Sequence, residues 1–60
     1  MKINSYANGA SVSMEKLFPS GMYCIVARSP SGEVLDKVRC DSYLAARAWF
    51  VMLGTIAKNS

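Results

Sequence analysis

Apolar and polar positions along the chain change period once, near residue 41. From Met22 to Arg28, and again from Glu33 to Cys40, short β-rich runs flank the turn residues Ser29-Pro30-Ser31-Gly32, which predicts a hairpin. Pro30 fixes φ at the first turn position, and Gly32 supplies the left-handed residue that closes a type I turn with a bulge. A three-residue Pro30-Ser31-Gly32 loop sets Cys24 opposite Val38 and Met22 opposite Cys40. That register predicts one face of Met22, Cys24, Val26, Val34, Val38 and Cys40, and another of Tyr23, Ile25, Lys37 and Arg39, with Asp36 the one charge on the apolar side. A four-residue loop is the alternative, and it sets Cys24 against Lys37.

Upstream, a second Pro-Ser-Gly at Pro19-Ser20-Gly21 lies eleven residues before the first, the spacing of successive turns in a β-meander. It predicts a strand over 11–18, with a helical turn capped by Ser13 through Met14-Glu15-Lys16-Leu17 as the rival. Asn8-Gly9 is a type I′ hairpin signal and adds a fourth strand, over Lys2 to Tyr6, as an option. The predicted fold class is therefore α+β. A small antiparallel meander of three strands, or four, packs on one C-terminal helix in a single domain over 1–60, with a strand region at 11–18, the hairpin at 22–40 and the helix at 42–58.

After Asp41 the period becomes helical. Asp41 or Ser42 caps the start, the alanines and leucines of Tyr43 to Leu53 favour helix, and Lys58 complements the dipole at the far end. Placed at 100° intervals, Ala45, Ala46, Ala48, Trp49, Phe50, Met52, Leu53, Ile56 and Ala57 fill an arc of roughly 200°, and Leu44 and Val51 widen it. A helix packing on its own sheet needs an apolar stripe of only about 100° or somewhat more. Either the N-terminal segment folds over the second flank, or that flank is a partner or homodimer interface with Trp49, Phe50, Met52 and Ile56 as its anchors.

Composition bounds the alternatives. Sixty residues make one domain whose core leaves a thin stability margin, so support from disulfides, metal or association is expected. With no histidine and no C-x-x-C pair, neither a metal nor any other cofactor is expected. No signal-like apolar stretch opens the sequence, so the two cysteines, Cys24 and Cys40, point to a reducing cytoplasm and to core positions. Tyr43 to Ala57 contains Arg47 and falls short of the ~20 residues that span a bilayer, so no membrane partner is expected. A hydrophobic content of 52% argues against disorder. Net charge +3 is compatible with an anionic partner. Tyr23, Arg28, Lys37 and Arg39 form the candidate patch for one, against the alternative of a solvated sheet face. Catalysis is not expected, because neither serine nor cysteine has an activating histidine and the glycines form no phosphate-binding motif.

The layout of hairpin followed by a capped helix, with Cys40-Asp41-Ser42-Tyr43-Leu44-Ala45-Ala46-Arg47-Ala48-Trp49-Phe50 at the junction, resembles the arm-type DNA-binding domain of tyrosine integrases over Met22 to Leu53. That resemblance implies a sheet entering a DNA groove, although those domains carry more Lys and Arg on the sheet than Arg28, Lys37 and Arg39 provide. In format the chain is also similar to small phage proteins that disable host defence complexes, such as anti-CRISPR proteins. This second resemblance implies steric block of a nucleoprotein complex through protein contacts. DNA mimicry is not implied, since mimics are strongly acidic. A non-enzymatic module that binds a protein partner, or itself, is the first expectation, and a DNA-binding sheet is the alternative.

Overall fold

The computed structural model describes residues 1–60. Strands β1 (Lys2–Ser5), β2 (Ser11–Lys16), β3 (Tyr23–Arg28) and β4 (Val34–Cys40) form an antiparallel sheet in the order β1-β2-β3-β4, and helix α1 (Tyr43–Lys58) covers one face of it. This is the α+β meander with a C-terminal helix that the sequence predicts, and the fourth strand is present. Residues 11–16 are strand and not a helical turn, because Val12 and Met14 alternate with Ser11, Ser13 and Glu15, and both apolar side chains are buried under the helix.

The hairpin between β3 and β4 corrects the predicted register. At the turn, Gly32 N–H donates to the Ser29 carbonyl at 2.9 Å and Ser29 N–H to the Glu33 carbonyl at 2.8 Å, so the loop is the three-residue one. Arg28 then pairs with Val34, but a bulge follows and Ala27 pairs with Asp36. Beyond it Ile25 faces Val38, Cys24 faces Arg39 and Tyr23 faces Cys40. One extra residue on β4 flips β3 relative to the predicted pairing. The inner face therefore takes Tyr23, Ile25, Ala27, Val38 and Cys40, while Cys24, Val26 and Val34 turn to the other side. Burial accounts for the choice. Ile25 is larger than either Cys24 or Val26, it is fully buried, and in this register it lies beside Met14 of β2. Asp36 does fall on the inner side, at an exposed edge, where its carboxylate accepts from Lys37 N–H at 2.8 Å.

A second correction concerns Asn8-Gly9. Gly9 N–H donates to the Tyr6 carbonyl and Tyr6 N–H to the Ala10 carbonyl, and Gly9 alone in the turn has positive φ, +89°. A type I′ turn needs positive φ at two residues, so this is a type I turn closed by a glycine bulge, the same device as at Gly32.

Helix α1 starts at Ser42, whose hydroxyl accepts from Ala45 N–H, and buries Ala46, Phe50, Leu53, Gly54 and Ala57. These meet Val12, Met14, Ile25 and Ala27 of the sheet, and Ala10 just before β2, to make the core. Small residues on both sides allow close approach at Gly54, where an added Cβ would overlap Tyr6 Oη and touch Val12 Cγ1 at 3.4 Å. Gly54→Ala gains about 1 kcal/mol of helix propensity but overpacks the site, which costs about 1–3 kcal/mol. We expect a net loss of stability in urea unfolding, recovered when Tyr6→Phe removes the colliding oxygen. An alanine that stabilises the wild-type background would contradict this packing.

Candidate functional site

Two surfaces remain outside the core. The first is the outer face of α1, generated by the same helical period that buries the inner one. Leu44 is 78% exposed, Val51 65% and Met52 54%, with Ile56, Ala48 and Thr55 also exposed, so an apolar stripe runs the length of the helix away from the sheet. No acidic residue lies within α1, and its cations, Arg47 and Lys58, lie on one border of this stripe. Thr55 Oγ1 donates to the Val51 carbonyl at 3.2 Å, which occupies its hydroxyl within the helix. The accessible surface, 3992 Å², is close to the about 3,800 Å² expected of a compact monomer of this mass. Loose folding therefore does not explain the stripe; the chain is compact and still leaves this face uncovered.

Of the four anchors read from the sequence, Met52 and Ile56 lie on the exposed stripe and Trp49 is half-buried at its edge against the core. Phe50 does not belong there. It is only 6% exposed and packs between helix and sheet, with Lys2 Nζ 5.5 Å from its ring centroid. The wheel alone left the arc's inner and outer halves undivided, and the sheet divides it at Phe50. Leu44 and Val51, which only widened the arc on the wheel, are the most exposed large apolar residues of the helix. The N-terminal segment covers the inner flank only, through Tyr6 and Ala10.

The second surface is the uncovered face of the sheet. Strand register places Ile3, Ser13, Val26 and Lys37 in one row across it, Glu15, Cys24 and Arg39 in the next, and Ser5, Ser11, Arg28 and Val34 in the third. Arg28, Lys37 and Arg39 thus share this face, with Glu15 as its one acid. Tyr23 does not join them: the bulge turns it to the helix side, where its ring lies 5.9 Å from Tyr43 and 5.8 Å from Lys16 Nζ. Arg28 is partly committed, since its Nη1 donates to the Gly32 carbonyl at 3.1 Å. The cysteines are free and lie on opposite faces, Cys40 against the core and Cys24 on the uncovered side, which corrects the expectation that both are core.

A concavity of about 460 Å³ at the β2–β3 turn is lined by Lys16, Leu17, Phe18, Pro19 and Gly21, residues that the sequence marks only for local structure and not as a binding site. Phe18 there is 97% exposed. No group of three or more His, Cys, Asp or Glu side chains comes together, and no helix is long and apolar enough to cross a membrane.

Fold and surfaces together define a two-layer α+β domain with one free helix face and one free sheet face. No protein-family model, no curated protein and no solved structure matches the chain.

Proposed function

We propose that the chain is a small non-enzymatic protein-binding module whose working surface is the outer face of α1. The observation that carries this reading is the exposed stripe of Leu44, Val51, Met52 and Ile56 on an otherwise compact domain. A module of this kind acts by occupying surface on its partner. Joined to the similarity in format with anti-CRISPR proteins, that mode of action makes steric block of a nucleoprotein complex the function proposed first. Val51→Glu places a charge mid-stripe without touching the core, so capture of a protein partner from cell lysate by the immobilised chain should be lost while the domain stays folded. Equal capture by wild type and variant would remove the helix face from the account.

A DNA-binding sheet is the second reading, favoured by the alignment of Arg28, Lys37 and Arg39 on the uncovered face. Three cations able to meet phosphates give an affinity that falls steeply with salt. A gel-shift titration with duplex DNA at two salt concentrations should then show binding that weakens about tenfold or more from 50 to 200 mM salt. No shift at micromolar protein rejects this reading.

A further inference from the structure

We infer that the outer face of α1 takes a second copy of this chain, the two helices lying antiparallel about a two-fold axis. The inference rests on the docking reading above and names its occupant. Leu44, Ala48, Val51 and Thr55 are spaced four, three and four apart, the seam along which two helices pack. Their sizes alternate, and in an antiparallel pair they fit in one register. Ala48 lies opposite Val51 of the second copy, and Leu44 opposite its Thr55, so that a small residue meets a larger one at each step. The same register brings the N-terminal end of one helix, where Asp41 precedes the extended N-cap Ser42, to the end of the other helix that carries Lys58, and by symmetry this meeting occurs twice. Asp41 and Lys58 are both exposed and lie at opposite ends of the helix, so neither can pair with the other inside one chain. Opposed helix dipoles favour this arrangement as well. A parallel pair would set Asp41 against Asp41 and Lys58 against Lys58. Charge complementarity therefore selects the antiparallel arrangement.

Pairing through the β4 edge of the sheet is disfavoured by its own sequence. Its bulge and its Asp36, Lys37 and Arg39 blunt the edge, and antiparallel self-pairing about Lys37 would set like charges against each other. Helix pairing leaves both uncovered sheet faces free, on the outside of the dimer.

Sixteen residues of helix give a contact about 24 Å long. That is a small interface, of the weak and transient class, for which we expect a dissociation constant on the order of 10 µM. Sedimentation velocity from about 1 to 500 µM brackets that value and should show a monomer passing to a dimer. At low salt Asp41→Lys and Lys58→Asp should each weaken the dimer about tenfold, and the double variant should return to within about threefold of wild type. Ala48→Val with Val51→Ala should behave likewise, each alone weakening the dimer and the pair restoring it. A wild type that stays monomeric to about 500 µM overturns the self-pairing, as does a dimer that the double variants fail to restore. Failure of the docking reading itself looks different, since a folded Val51→Glu would then capture partner from lysate as well as wild type does, whatever the self-association shows.

Discussion

Leu53→Ala is expected to cost about 2–5 kcal/mol, enough to unfold a substantial fraction of the chain at room temperature. Leu53 is fully buried, and with Ile25 and Val12 it is among the largest side chains wholly removed from solvent. A domain of 60 residues has only about 3–9 kcal/mol of total stability at ordinary per-residue values, so one cavity at this position consumes much of it. Met52, one residue earlier and 54% exposed, is expected to lose less than about 1 kcal/mol when truncated. Urea unfolding followed by the fluorescence of Trp49, the single tryptophan, measures both. Equal midpoints for the two variants would contradict the division of the helix into inner and outer faces.

Asn8→Asp is expected to have the second-largest effect, about 1–2 kcal/mol, because Asn8 joins the first turn of the chain to the last turn of the helix. Its Nδ2 donates to the Ala57 carbonyl at 3.1 Å and reaches the carbonyls of Lys58 and Ser60 at 3.4 and 3.3 Å, while its Oδ1 accepts from Ala10 N–H at 2.9 Å. The final carbonyls of a helix have no partner within it; here the Ala57 carbonyl accepts from Ser60 N–H at 3.2 Å and Ser60 Oγ at 2.7 Å, and Asn8, about fifty positions away, adds a further donor that ties the two ends of the chain together. Aspartate keeps the bond to Ala10 but removes the donor and sets a negative charge against the negative end of the helix dipole. Asn8→Ala loses the donor without adding the charge, so it should fall between Asn8→Asp and wild type. The order of the three midpoints in urea is the check, and an aspartate no worse than alanine would show that the dipole contributes nothing.

Much of this architecture was legible in the residues. Turn chemistry at Pro30-Ser31-Gly32 gave the right loop, alternation at Val12 and Met14 marks β2, and the change of period after Asp41 marks α1. The bulge between the β3–β4 turn and the strand body was not legible. A loop length fixes pairing only next to the turn, and what selects the shifted register is the burial of Ile25 beside Met14, a contact between strands that no local pattern encodes. The misplacement of Tyr23 and Cys24 follows from that single slip. On the helix, the width of the apolar arc told that a surplus existed but not which half the sheet would take. Phe50 and Met52 are alike on a hydropathy scale, and the crossing of α1 over β2, β3 and β4 separates them. Asn8 was read only as a turn former, because a cap that spans the whole chain leaves no local trace.

Helix α1 has an inner face that the fold needs and an outer face that it does not. Thermal unfolding of Val51→Glu at about 1 µM, where mass action keeps the chain monomeric, tests this division most directly. A charge on a free face changes stability by no more than about 0.5 kcal/mol, so the midpoint should stay within about 4 °C of wild type. A drop of about 10 °C or more, like that expected of Leu53→Ala, would show that Val51 belongs to the core and would contradict the account.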